Sequence, residues 1–174
     1  FLSCFLFNST LVMMGFACLS FILVPRLFKD NKISYVCATI GSYIAMLSGL
    51  SFLGVGLTPA DLYFHEHVFF VIVGFRSMVP AMVFLTLAFF FSPVSNKYTV
   101  ASVLFLLSIT LYAFFETSDP PDVSPREDLE LFKESISYNR MVISVIAQKV
   151  ITLISFVSFF VFTYGFYQLS LLKK

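Results

Sequence analysis

Long apolar runs separated by short polar segments make up most of this chain. None of the runs alternates apolar and polar residues with a period of two, as the strands of a membrane barrel would. The runs approach or exceed the roughly 18–20 residues that cross a bilayer as a helix. Because backbone groups facing lipid must be hydrogen-bonded within their own element, the runs predict helices. The predicted spans are residues 6–25, 33–57, 67–91, 98–115 and 140–167.

The composition supports the same class. Of 174 residues, 59% are hydrophobic and 12% are charged, whereas a soluble domain carries about 25% charged residues. The fold class predicted is therefore all-α, a polytopic transmembrane helical bundle forming a single domain. The net charge of +1 gives no electrostatic footprint for nucleic acid. The expected partners are membrane lipids and other membrane subunits.

The charges of the loops predict the orientation. Basic residues concentrate in 26–32, in 92–97 and at the C-terminus, whereas 58–66 has no Lys or Arg. The longest loop, 116–139, has seven acidic residues and two basic ones. By the positive-inside rule, 26–32, 92–97 and the C-terminus are cytoplasmic, and the other two loops lie outside. Phe1 then lies outside, and one further helix before it would complete a six-helix protein.

Two local patterns predict packing details. Ser124-Pro125-Arg126-Glu127 reads as a capping box with proline at the first helical position. It predicts a short amphipathic helix on the outer face within 116–139, and both a lid and a simple connector fit that helix. In the second span, Gly41, Ala45 and Gly49 recur every four residues, which allows a neighbouring helix to approach closely.

Ionisable residues gather at the start of the third span. On a helix, Asp61, His65 and Arg76 fall within roughly a 60° arc, and Asp61 lies one turn from His65. Arg76 lies about 16 Å further along, inside an apolar run where charge is costly. Pro80 is expected to kink the helix one turn later.

The fifth span offers a second cation. Ser144, Gln148, Thr152 and Ser155 form a polar stripe, which is expected to face the bundle interior, with Lys149 beside it. Arg76 and Lys149 both lie about 13 Å deep from the outer end of their spans. Two cations at one depth predict an anion between the third and fifth helices. A lipid phosphate, a small carboxylate, Glu116 and an acid on a further helix all fit.

No pattern identifies a reaction. His65 and His67 point about 200° apart on a helix, which disfavours a shared metal ion. There is no phosphate-binding glycine loop, nucleophile elbow or catalytic triad. No cofactor or metal is therefore expected, and no catalytic residue is assigned.

Several short motifs together resemble a known family. Leu6-Phe7-Asn8-Ser9-Thr10-Leu11 with Gly15, then 54–61 with His67, and finally Gln148-Lys149 resemble the bacterial and archaeal multi-pass membrane family catalogued as domain of unknown function 998. The resemblance implies six helices, of which this chain holds the second to sixth. It marks Asn8, Asp61, His67 and Lys149, and it implies no established activity. The acidic loop is longer than the family pattern.

Three functions follow as hypotheses. The first is a non-enzymatic membrane protein that binds a lipid head group or a partner subunit, with Arg76 and Lys149 supplying charge and Gln148 and His67 orienting the ligand. The second is an intramembrane lipid-modifying enzyme that uses Asp61 with His65 or His67 as acid–base groups. The third is a small anion transporter built on the same two cations.

Overall fold

A computed structural model describes residues 2–117, 123–135 and 138–172, with side chains for all of these except 2–4, 116–117, 138–139 and 141. Of the described residues, 87% are helical, and no strand occurs among them. This confirms the all-α prediction. In chain order the helices are α1 (Leu2–Leu19), a 3-10 segment that continues it (Ser20–Phe28), α2 (Lys32–Leu57), α3 (Phe64–Phe90), α4 (Asn96–Thr117), α5 (Leu129–Ser135) and α6 (Tyr138–Leu171).

Five helices in the described ranges are long and apolar enough to cross a membrane, as predicted. They are Phe5–Phe28, Lys32–Leu57, Phe64–Phe90, Asn96–Phe115 and Val142–Leu171. The third starts earlier than the sequence suggests, because the His67 amide already donates to the Tyr63 carbonyl at 2.9 Å. It continues through Pro80, which cannot donate to the Arg76 carbonyl one turn before it.

The spans pack in chain order, α1 on α2, α2 on α3, α3 on α4 and α4 on α6, and α6 returns to the 3-10 segment. Glycine allows the closest of these approaches. A Cβ at Gly49 would lie 2.6 Å from the Cβ of Cys18 and 2.9 Å from the Gly15 carbonyl oxygen. Gly41 instead faces α3, where a Cβ would lie 3.0 Å from the Ala81 carbonyl oxygen. The four-residue repeat therefore serves two neighbouring helices.

An aromatic cluster closes one half of the bundle. The ring of Phe89, 1% exposed, stacks on Phe166 at a centroid distance of 5.3 Å and meets the edge of Phe28 at 5.7 Å. Phe21 contacts Phe159 and Phe166 at about 6 Å. These contacts bring the end of α6 against the 3-10 segment, where the first span joins the core.

Two loop contacts define the ends of the bundle. At one, the Asn31 side chain caps α2 by accepting from the Ile33 and Ser34 amides and donates to the Phe91 carbonyl at 3.0 Å. At the other, His65 contacts Glu127. We call these the Asn31 end and the His65 end. The predicted inner loops 26–32 and 92–97 thus share one end, and the predicted outer loops share the other.

Candidate functional site

The loop before α5 folds around a reciprocal pair of hydrogen bonds. The Glu127 amide donates to the Ser124 hydroxyl oxygen at 3.2 Å, and the Ser124 amide donates to Oε2 of Glu127 at 2.9 Å. This is the predicted capping box. The predicted start of the helix was wrong, because 125–127 form a turn and α5 begins at Leu129. Asp128 caps that helix by accepting from the Leu131 amide.

His65 joins this turn to the start of α3. Its Nε2 lies 3.3 Å from Oε1 of Glu127, and both side chains are more than half exposed. An ionised carboxylate can only accept hydrogen bonds, so Nε2 of His65 carries the proton. One residue earlier, the ring of Phe64 meets the edge of Phe132 on α5 at 6.1 Å. Among the described contacts, one polar and one aromatic contact therefore attach the segment 123–135 to α3.

His67 serves the connection between α2 and α3. Its Nδ1 lies 2.6 Å from the carbonyl oxygen of Thr58, which follows the last residue of α2. The Thr58 hydroxyl donates to the Gly54 carbonyl at 2.8 Å. Because a carbonyl only accepts, Nδ1 of His67 carries the proton. The two histidines thus use different ring nitrogens, Nε2 in His65 and Nδ1 in His67, for their hydrogen bonds.

Asp61 does not join either histidine. It lies in the turn before α3 and is exposed, so the helical geometry that would bring it to His65 is absent. The prediction that Asp61 and His65 lie one turn apart on the same helix was therefore wrong. The described hydrogen bonds and ion pairs include none from the Asp61 carboxylate. The carboxylate beside His65 is Glu127, which the sequence could not identify because it lies 62 residues away.

Hydrogen bonds at the surface, and not burial, lower the pKa of the Glu127 carboxyl group. The pKa of Glu127 lies below its ordinary value because the Ser124 amide donates to the carboxylate, and His65 and the Ser124 hydroxyl add smaller contributions in the same direction. The pair is a surface contact, and none of the cavities described below and under the further inference is lined by His65, His67 or Asp61. Within the described residues, no three potential ligands gather as a metal site.

Arg76 lies midway along α3 and is exposed. It is twelve residues after Phe64, or about 18 Å along the helix at 1.5 Å per residue. The neighbouring positions Gly74 and Phe75 face the core, with Phe75 packed on Tyr112 at 4.6 Å. Exposed Phe69 and Val83 lie on the same face as Arg76. The guanidinium therefore belongs to the outward surface of the bundle.

Lys149 lies at a similar depth on α6. It is eleven residues after Tyr138, or about 17 Å along the helix, and its side chain is exposed. Gln148 is half-buried beside it, and Ser155 is buried. The polar stripe of α6 therefore turns toward the bundle, as predicted, while Lys149 points away from it.

The cavity described beside this stripe is apolar and lies between α4 and α6. It has a volume of about 350 Å³, and Tyr112, Ala147 and Ile151 are among its lining residues. Neither Arg76 nor Lys149 lines it, and α6 packs on α4 rather than on α3 at this level. The side chain of Glu116, the predicted acid within the chain, lies outside the described residues. A polar pocket between α3 and α6 is therefore not among the described cavities.

These features define a multi-pass helical bundle with the composition of a membrane protein and with two exposed cations, Arg76 and Lys149, within its apolar spans. No family model matches the chain, and neither the curated proteins nor the solved structures contain a match.

Proposed function

We propose that this protein is a non-enzymatic subunit of a membrane complex, which binds an acidic side chain of a neighbouring transmembrane helix through Arg76 and Lys149. The observation that carries the proposal is the exposed guanidinium midway along an apolar helix. From Val68 to Phe90, Arg76 is the one charged residue. Charged residues inside spans usually face partners or pathways, and mark functional sites.

Depth favours a carboxylate over a lipid phosphate. Lipid phosphates lie outside a hydrocarbon core that is about 30 Å thick. Arg76 is about 12 Å beyond Val68, where the apolar run begins, and snorkelling shortens that distance only by the length of its side chain. A carboxylate on an adjacent helix reaches the same depth without drawing a head group into the core. Lys149 at the matching depth on α6 gives a second contact on the same partner or on another.

The enzyme and transporter hypotheses have weaker support. The imidazole of His65 contacts Glu127 on the surface, His67 contacts the Thr58 carbonyl, and Asp61 forms no described hydrogen bond with either histidine. No described cavity joins Arg76 to Lys149 as an anion path would require. Two further expectations are part of this proposal. Loop charge supports the location of the His65 end outside the cell. Asn8, Asp61, His67 and Lys149 support membership of the family of unknown function 998.

The test is purification of the full chain from its native membrane in mild detergent, followed by native mass spectrometry. Wild-type protein is expected to retain a partner whose transmembrane helix contains Asp or Glu. Arg76→Leu should lose it, Arg76→Lys should keep it in part, and Arg126→Leu, which removes an exposed loop charge, should keep it fully. Converting the partner's acid to its amide should reproduce the loss.

Two results would overturn this assignment. Retention of every wild-type partner by both Arg76→Leu and Lys149→Leu would remove the role of the cations. If these variants lose a bound phospholipid and keep every protein subunit, the ligand of the two cations is a lipid head group and not a partner helix. Glu116→Gln tests whether Arg76 pairs with Glu116 inside the chain instead. In that case Glu116→Gln and Arg76→Leu would lower the thermal stability equally, and Glu116→Gln would leave every partner bound.

A further inference from the structure

A polar cavity lies between the 3-10 segment and α2, toward the Asn31 end. Its volume is about 160 Å³. The helices touch at Gly15 and Gly49, and the cavity opens where the first span passes into its 3-10 turns around Pro25. The polar side chains that line it are Arg26, Tyr35, Thr39, Ser42 and Tyr43.

Ser42 is the buried group that points to a ligand. It is 2% exposed, and its hydroxyl has no hydrogen-bond partner among the described residues. Serines elsewhere in the bundle donate to the carbonyl one turn earlier, as Ser51 does to Leu47 and Ser155 does to Ile151. A buried hydroxyl without a partner is costly. The Ser42 hydroxyl is thus available to a molecule in the cavity that it lines.

Two other buried hydroxyls with the same deficit, those of Ser34 and Thr86, lack a usable cavity, and the larger cavities beside Tyr98 and Tyr112 are lined mainly by apolar side chains. Ser34 is also buried without a partner, but its cavity has a volume of about 10 Å³, at most enough for about one water molecule. Thr86 is likewise unpartnered and lines none of the described cavities. Ser42 therefore combines an unsatisfied donor with space for a ligand.

The chemistry of the lining selects an anion. Arg26 is exposed at the mouth, and a guanidinium offers a planar fork of donors that matches phosphate. Thr39 donates its proton to the Tyr35 carbonyl at 2.8 Å, so its oxygen can only accept. No Asp or Glu lines the cavity, which disfavours a cation. The donors for a ligand are therefore Arg26, Ser42 and the two tyrosine hydroxyls.

Size and depth select part of a lipid. Sites that enclose a drug-sized molecule usually measure about 300–1,000 Å³, so 160 Å³ admits a small polar group only. Tyr35 lies about 5 Å along α2 from its start and Ser42 about 15 Å. The cavity thus runs from the depth of phosphates and interfacial tyrosines to the depth of the ester groups below them. Lys29 and Lys32, which follow the 3-10 segment in the chain, are exposed.

We propose that this cavity binds the phosphoglycerol part of an anionic phospholipid. Arg26 binds the phosphate, and the Ser42 hydroxyl donates to an ester oxygen deeper in the same molecule. The acyl chains remain along the outside of the bundle, next to Ile22 and Met46 at the cavity wall.

The experiment uses the delipidated full chain in detergent micelles, titrated with phosphatidylglycerol, phosphatidylcholine or inorganic phosphate, with binding followed by native mass spectrometry. Phosphatidylglycerol should bind most tightly. Arg26→Gln should weaken it about tenfold or more, because a charged hydrogen bond is lost. Ser42→Ala should weaken it about two- to tenfold.

Controls separate binding from folding and from general charge. Lys29→Gln removes a nearby charge outside the lining, and Ser51→Ala removes a hydroxyl that is already satisfied within its helix; each should change the affinity less than threefold. Without lipid, Ser42→Ala should melt no lower than wild type, because an unsatisfied hydroxyl has been removed. Equal affinity for the two phospholipids, or unchanged affinity in Ser42→Ala, would overturn the proposal. Tighter binding of inorganic phosphate than of phosphatidylglycerol would replace the lipid by a soluble ion.

Discussion

Nε2 of His65 lies 3.3 Å from Oε1 of Glu127, although the two residues are separated by 62 positions in the chain. The contact joins the first turn of α3 to the turn that precedes α5. Glu127 also closes its own turn by accepting from the Ser124 amide. The Glu127 carboxylate thus stabilises its own turn and attaches that turn to the bundle.

Acidification is expected to loosen this segment. The pKa of Glu127 is lowered in the folded protein, so the stabilisation is fully present above the ordinary glutamate value of about 4.3 and is lost as the pH falls through the lowered value. Hydrogen exchange of 123–128 should therefore accelerate at acidic pH beyond the intrinsic effect of pH on exchange. Glu127→Gln should exchange faster at neutral pH and show little further response to acid.

The matched control for this prediction is Glu130→Gln. Glu130 is also exposed and pairs with Lys133 at 2.9 Å within α5, but it does not contact α3 in the described contacts. Its substitution should leave the exchange of 123–128 unchanged. Equal acid sensitivity of wild type and Glu127→Gln would contradict the role of the carboxylate.

A buried serine joins α2 to α3 by a hydrogen bond. The Ser48 hydroxyl, in a residue that is 0% exposed, donates to the Gly74 carbonyl at 2.7 Å. Ser48→Ala should lower the free energy of unfolding by about 0.5–1.5 kcal/mol, as interhelical hydrogen bonds in membranes do. Ser51→Ala removes a hydroxyl that bonds only within its own helix and should cost less. Unfolding by dodecyl sulphate in mixed micelles measures both, and equal effects would contradict the interhelical role.

Two neighbouring phenylalanines test the aromatic cluster. Phe89 is 1% exposed, whereas Phe90 is 62% exposed. Phe89→Ala should lower the free energy of unfolding by about 3 kcal/mol, at the low end for buried phenylalanines, because lipid is as apolar as the core and the cost is mainly lost packing. Phe90→Ala should change it by about 0.5 kcal/mol or less. The same micelle titration measures both variants, and similar losses would show that the cluster does not hold α6 in place.

Local chemistry made several features predictable. The five spans follow from apolar length, since a bilayer leaves backbone groups no partner except their own helix. The reciprocal bonds of Ser124 and Glu127 follow from a capping pattern that acts over three residues. The burial of Ser155 follows from helical periodicity, whereas Lys149, which was expected to meet an anion between the third and fifth helices, is exposed.

Relations between distant segments were not predictable in the same way. Helical spacing suggested Asp61 as the partner of His65, but α3 begins only at Phe64 and the carboxylate comes from Glu127. The spacing of Gly41 and Gly49 indicated close packing without revealing that they face different helices.

The sequence by itself determined the class of protein, the span positions and the unusual cations Arg76 and Lys149, because these depend on length, hydropathy and rise per residue. Only the tertiary structure decided which helices are neighbours, that the described cavity beside α6 lies against α4, and that Ser42 lines a polar cavity beside Arg26. The physical reason is that packing between helices depends on small differences in side-chain shape summed over the whole interface, and no local pattern in the chain records that sum.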